Sequence, residues 1–313
     1  MSQDAIRFRR VELASGIGLH IAEAGRPDAP LVILLHGFPE FWFAWRRQIE
    51  PLADAGFRVV APDQRGYNLS DKPEGIGAYV LDRIADDVTG LADALGYRTF
   101  SVVGHDWGGI VGWWLAMRAP ERLERLAILN APHPATLSGY LAGHPRQLAR
   151  SWYVLFFQLP RLPERLIRAR GFRLAMRALT GTSRRGTFSS ADLARYCEAW
   201  ARPGAMTAMI NWYRALRRRR PGRSPAAARI GVPTLVLWGR RDAFLEPGLA
   251  DAALRYCDRG RLVRFDDAGH WIQHERPARV NELLAGFLRE GRPAGHPGED
   301  VPPALRPAGI PGT

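Results

Sequence analysis

Apolar residues along the chain fall into distinct rhythms. Short, mostly apolar runs recur at 31–35, 58–61, 100–103, 126–129, 235–238 and 262–265. Runs of that length suit strands buried on both faces of a mostly parallel sheet. Between several of them the spacing changes to three and four. Leu81, Ile84, Val88, Leu91 and Leu95 line one face of a helix that Gly96 closes. Val280, Leu283, Leu284, Phe287 and Leu288 line another, opened by Pro277 and stopped by Gly291. The N-terminal stretch alternates instead. Ile6, Phe8, Val11 and Leu13, then Leu19 and Ile21, flank Ser15-Gly16 and predict β structure around a turn. Strands alternating with helices predict an α/β fold with helices on both faces of the sheet.

The alternation stops between 133 and 229. That stretch is helical in composition and nearly strand-free, and it lies between one buried run and the next. It therefore reads as a helical cap inserted into the core. The expected division is a core at 1–132 and 230–291, a cap at 133–229, and a Pro-, Gly- and Ala-rich disordered tail at 292–313.

Charge sharpens this division. The net charge is +13, and the cap carries all of the excess: 19 arginines there face only Glu164, Asp192 and Glu198. Lys72 is the only lysine. Such a segment attracts anionic substrates, membrane surfaces or nucleic acid, or it is simply a solvated helical face. No nucleic-acid-binding signature accompanies it, so the solvated face is the expectation and no nucleic-acid partner is expected. The run Arg217 to Arg220 suits a helix C-terminus. With 46% hydrophobic residues over 313 positions the chain can bury a large core. Two cysteines, Cys197 and Cys257, are too few for a disulfide framework or a cysteine-rich metal site. No stretch is long and apolar enough for stable membrane insertion, and MSQDAIRFRR lacks the apolar core of a secretory leader, so a cytoplasmic location is expected.

The candidate chemistry sits where buried runs end. Phe100 to Gly109 reads FSVVGHDWGG, a strand entering a Gly-x-Asp-x-Gly turn and then a helix. This pattern makes a nucleophile elbow, which presents one side chain above the sheet. The presented residue is Asp106; alone, it could equally be a helix cap. Asp242 follows the run at 235–238, and His270 follows the run at 262–265. Nucleophile, acid and histidine thus appear in hydrolase order, each just past a strand. His36-Gly-Phe-Pro-Glu40 follows the run at 31–35, where an oxyanion hole would draw on the amides of Phe38 and Trp107. The Phe38–Pro39 bond is a candidate for a cis peptide. No metal-ligand cluster such as HExxH is present, and no cofactor is implied.

With these motifs, the sequence resembles the α/β-hydrolase-fold epoxide hydrolases over nearly all of the chain except the tail. The matching segments are HGFPE at 36–40, APDQRGYNLSDKP at 61–73 and GHDWGG at 104–109. Within the cap, SWYVLFFQ at 151–158 and NWYRA at 211–215 also match. The resemblance implies that Tyr153 and Tyr213 reach from the cap to the epoxide oxygen, and that Glu40 helps to position a water. On their own, both tyrosines would read as core aromatics. The implied reaction turns an apolar epoxide and water into a vicinal diol through an ester on Asp106, which water activated by His270 and Asp242 then hydrolyses. A haloalkane or haloacetate dehalogenase would use the same aspartate. Trp107 after the nucleophile also fits a haloalkane dehalogenase, but Phe38 after His-Gly departs from those enzymes, Trp107 replaces the arginine of the haloacetate enzymes, and the tyrosine pair favours epoxides. A non-catalytic receptor on this fold would be expected to have lost part of this set. The particular epoxide and the oligomeric state are not legible.

Overall fold

The computed structural model describes residues 6–218 and 229–291. Eight strands form one sheet in the order β1-β2-β4-β3-β5-β6-β7-β8. In chain order they are β1 (Arg7–Glu12), β2 (Gly18–Ala24), β3 (Leu31–Leu35), β4 (Arg58–Pro62), β5 (Phe100–His105), β6 (Leu123–Leu129), β7 (Thr234–Gly239) and β8 (Gly260–Phe265). The first two make an antiparallel hairpin that joins β4 antiparallel, and β4 through β8 run parallel. Helices connect the parallel strands, as that geometry requires. They include Leu81–Ala94 between β4 and β5, Trp107–Arg118 between β5 and β6, and Gly248–Leu254 between β7 and β8. The helix Pro277–Arg289 follows β8.

Every residue of β3, β4, β5 and β7 is buried, which accounts for their predominantly apolar runs. The expectation of two buried faces fails at β8. It is the sheet's outer strand, and only Phe265 in it is fully buried. The alternation expected of the first strand fails similarly. Phe8 is 52% exposed, although its ring packs edge-on against Trp42 at 4.8 Å. β1 is the opposite edge, and it carries Arg7, Arg9 and Arg10, charges that discourage pairing with another chain.

Between β6 and β7 the described chain is helical: Pro134–Gly143, Pro145–Arg150, Trp152–Phe156, Leu162–Gly181, Ser190–Ala201 and Ala205–Ala215. The long fourth helix is broken. Residues 169–172 leave helical geometry, and Arg170 and Phe172 adopt positive φ. The Arg217–Arg220 run begins just past the last of these helices; Arg219 and Arg220 lie outside the described residues, as does the expected tail at 292–313. No helix among the described residues is long and apolar enough to cross a membrane.

Polar anchors fasten these helices to the sheet's loops. The Trp200 and Trp212 indoles donate to the carbonyls of Pro39 (2.6 Å) and Arg65 (3.1 Å). Trp271 donates to the Thr182 hydroxyl at 2.9 Å. Arg65 is itself fixed from below. Its buried guanidinium makes a two-pronged pair with Asp87 and donates to the Ala78 carbonyl. Burial pushes the Asp87 carboxyl up, and Arg65 only partly draws it back, so the pair contributes position more than net stability. Removing one partner strands the other. Asp87→Ala is expected to cost about 3–5 kcal/mol in urea unfolding, and Arg65→Met combined with Asp87→Leu should recover part of that loss.

Candidate active site

The site forms where neighbouring parallel strands end. Asp106 follows β5 directly, with Asn130 just past β6, Asp242 past β7 and His270 past β8. His36 and Phe38 follow β3 on the other side of β5. The sequence order of the candidates is thus converted by the sheet into a row.

Asp106 occupies a strained turn, with φ 50° and ψ −119°, between β5 and the helix Trp107–Arg118. Two glycines make the turn possible. A methyl group on Gly108 would strike the backbone of Leu35 and His36, and one on Gly104 would strike Gly108. One carboxylate oxygen, Oδ1, accepts the Phe38 N–H at 2.9 Å. Trp107 opens the following helix, where the first N–H groups have no intrahelical acceptor. The Phe38–Pro39 bond is cis, as anticipated.

The other oxygen, Oδ2, faces His270 Nε2 at 3.7 Å. His270 Nδ1–H donates to Asp242 Oδ2 at 2.7 Å. Asp242 is held from every side. Its Oδ1 accepts the N–H groups of Phe244 (2.7 Å) and Leu245 (3.0 Å), and Asn130 Nδ2 donates to Oδ2 at 2.6 Å. Burial pushes Asp242 up, but the His270 charge and these donors outweigh it and leave it lowered. Burial pushes His270 down, yet the carboxylates of Asp242, Asp106 and Glu40 raise it to about 9. The imidazole is therefore charged at neutral pH in this state.

Both cap tyrosines come to this place. Their rings lie 5.9 Å apart and nearly perpendicular. Tyr213 stands on Ala205–Ala215 and packs on Phe38 (5.2 Å), Trp107 (5.0 Å) and Phe157 (4.8 Å). Tyr153 stands on Trp152–Phe156 against Phe157 and Phe244. Burial raises both phenols, and the negative charge of Asp106 raises them further. They remain hydrogen-bond donors throughout the ordinary pH range.

Glu40, expected to help position a water, is buried in a polar network of its own. Its oxygens are engaged by Tyr196 Oη (2.7 Å), His274 Nε2 (2.7 Å) and Gln273 Nε2 (3.2 Å), with His105 Nδ1 at 3.3 Å. Burial pushes Glu40 up, but the two histidines hold it well below the usual carboxylate range. Its path toward His270 runs through His105, whose Nε2–H donates to the His270 carbonyl at 2.9 Å. Arg46 donates to His274 Nδ1 at 3.0 Å, so neutral His274 donates from Nε2 to Glu40. Asn130, His105, Tyr196 and His274 belong to the site although no sequence pattern pointed to them. His105 stands inside the quoted GHDWGG motif; the others carry no local signal.

A family model described as the alpha/beta hydrolase fold matches residues 30–277. Epoxide hydrolase 4 of Mus musculus is 38% identical over 283 residues, covering 88% of this chain and 77% of that protein. The chain belongs to the α/β-hydrolase fold family and, within it, to the epoxide hydrolases. The AB hydrolase superfamily protein YfhM of Bacillus subtilis (strain 168) is 48% identical over 275 residues, covering 88% of this chain and 96% of that one. Among solved structures, an epoxide hydrolase from metagenomes of hot environments superposes with a TM-score of 0.81 at 36% identity, covering 93% of this chain and all of that one. In this epoxide hydrolase the same five strand ends that carry the family fold also carry the candidate site.

Charge coupling gives this site a testable signature. By NMR, His270 should titrate near 9 in the intact protein. Asp106→Asn removes one of the negative charges that raise it, so its pKa should fall. Because the folded value lies above the unfolded value of ~6.5, its contribution to stability is fully present below that value. It is lost as pH rises through about 9. Asp106→Asn should flatten that part of the stability–pH curve.

Proposed function

We propose that the chain hydrolyses apolar epoxides to vicinal diols through a covalent ester on Asp106. The observation that carries this reading is a pair of neutral phenols, Tyr153 and Tyr213, close enough to feel the charge of Asp106, whose carboxylate faces a charged imidazole. A carboxylate nucleophile suits an sp³ carbon with a leaving oxygen, and a phenol suits the alkoxide that leaves.

The two oxygens of Asp106 divide the work. Oδ1 is held by the Phe38 N–H, so Oδ2 attacks the epoxide carbon and the ring C–O bond breaks. A tyrosine gives its proton to the alkoxide. Esterification erases the Asp106 charge, which both phenols and His270 feel. The tyrosine becomes more acidic as its proton is required. His270 holds its proton less firmly and returns it to the tyrosinate, which leaves both groups neutral. His270, oriented by Asp242, then takes a proton from water, and the hydroxide adds to the carboxyl carbon of Asp106. The oxyanion develops on Oδ1, where the amides of Phe38 and Trp107 stabilise it. Collapse breaks the ester bond and expels an alkoxide, which takes the His270 proton to complete the diol. The new Asp106 carboxylic acid passes its proton to His270, restoring the starting ion pair. Glu40 helps to position the attacking water through His105, which donates to the His270 carbonyl. The rings of Phe38, Trp107, Phe157 and Phe244 around the tyrosines favour an aryl or alkyl epoxide.

His270→Gln should trap the first intermediate. After exposure to styrene oxide, intact-protein mass should rise by one whole epoxide, mapped to Asp106. A folded variant that gains no mass from aryl or long-chain epoxides but gains a halide-free fragment from a haloalkane would overturn the assignment. Replacing either tyrosine by Phe should slow esterification roughly 10–100-fold, read by the same mass gain under single turnover; replacing both should slow it further.

A further inference from the structure

The Arg-rich insertion carries a row of apolar side chains that the fold leaves in solvent. Leu148, Trp152, Leu155, Leu159, Leu162 and Leu166 follow one another at spacings of four and three. Such spacing ordinarily marks a buried helical stripe. Here each member is at least 44% exposed, and Trp152 and Leu155 reach 63% and 70%. The stretch from 144 to 157 is nearly continuous helix across Ser151, whose N–H bonds the Gln147 carbonyl at 3.0 Å, so Leu148, Trp152 and Leu155 share one face. Leu162 and Leu166 share the outward face of the next helix. Arg214 fastens the intervening turn by donating to the carbonyls of Phe157 and Leu159 and pairing with Glu164.

Beside this row lies an open cavity of about 990 Å³. Arg161, Arg165 and Arg168 line it from the helix that carries Leu162 and Leu166, and Arg217 and Arg218 line it from the other side. None of these five has a carboxylate partner among the described residues, and the cavity's one acid, Glu164, is already paired with Arg214.

We propose that this face docks onto an anionic lipid bilayer, with Trp152 and the leucines entering the interface and the arginines around the cavity receiving lipid phosphates. Exposed aromatic and leucine side chains flanked by unpaired arginines are the composition of an interfacial surface. Charge selects this occupant over a second copy of the chain, which would set the same arginines against themselves. Residues 219–228 carry further arginines, no acid and no large apolar residue, so they do not complement the row. The dock would bring the helix that holds Tyr153, next to Trp152, to the surface in which apolar molecules dissolve. The proposal concerns binding and stands apart from the reaction assigned above.

The test is flotation of the full chain with vesicles of phosphatidylcholine alone or mixed in equal parts with phosphatidylglycerol, at low and at physiological salt. Mixed vesicles should carry the protein at least roughly tenfold better than phosphatidylcholine alone, with salt weakening the difference. The triple variant Trp152→Ala, Leu155→Ser, Leu159→Ser and the triple variant Arg161→Gln, Arg165→Gln, Arg168→Gln should each lose most of that binding. Circular dichroism and an unchanged unfolding midpoint would establish that both variants fold. The proposal is overturned if the native chain ignores mixed vesicles at low salt. It is equally overturned if the apolar variant binds them as well as the native chain does, which would reduce the effect to general attraction. A native dimer that the apolar variant dissolves, with no vesicle binding by either, would assign the face to self-association instead.

Discussion

A carboxylate at the tip of a strained turn must be held against both solvent and its own repulsion from nearby acids. Asp106 meets that constraint with the Phe38 N–H on one oxygen and charged His270 opposite the other. Much of the surrounding structure follows from this arrangement. Gly37 cannot carry a side chain, because its Cβ would fall on the Asp106 carboxylate. Gly104 and Gly108 are required because the strand, the turn and the helix approach closer than any methyl allows. The backbone strain at φ 50° is sustained because β5 lies inside the sheet, between β3 and β6, where the turn has nowhere to relax.

The insertion is positioned by side chains that combine large area with one polar atom. Trp200, Trp212 and Tyr196 are each almost fully buried, and each directs its single donor at a loop next to the site: the Pro39 carbonyl, the Arg65 carbonyl and the Glu40 carboxylate. A purely apolar contact would tolerate sliding, whereas a buried donor that loses its acceptor costs ~1–3 kcal/mol. Three such anchors therefore fix the insertion in register, and with it Tyr213, which follows Trp212 directly. Arg65 shows the same logic one layer down. Its carbonyl receives Trp212 while its guanidinium is locked by Asp87, so the loop that bears the insertion is itself immobilised.

What the sequence made legible is what leaves a local mark. The inner strands announce themselves because burial on both faces leaves no room for polar residues in 31–35 or 235–238. The outer strands were legible as strands, β1 by alternation and β8 by its run, but not their exposure, since one side of each meets water and apolar residues there need not be covered. Asp106, Asp242 and His270 could be picked out because each follows such a run, and the family resemblance added the tyrosines. The Glu40 network could not. Its partners Tyr196, Gln273 and His274 lie 156 to 234 positions further along, and no spacing rule connects them. Asn130 is a single residue whose amide bridges Asp242 and the Gly239 backbone, a role set by the sheet order alone. The helix break at 169–172 contains one glycine, too little to forecast three successive residues at positive φ.

On the proposed route, the acid cluster around His270 is what lets a buried arrangement turn over. Asp106, Asp242 and Glu40 all raise the imidazole, so the resting site binds its proton firmly. A base that never lets go of a proton is useless for activating water. On the proposed route, the nucleophile's own esterification removes one of the three negative charges that hold the proton, and it removes it only while an ester waits to be hydrolysed. Asp242 cannot serve as that variable charge, because four donors keep it ionised. Glu40 cannot either, since its phenol, amide and histidine partners saturate it. Only Asp106 is exposed enough to meet a substrate and close enough to be felt by His270 and both phenols. The two surrounding acids thus set a constant background against which a change of one charge moves the imidazole from proton holder to base.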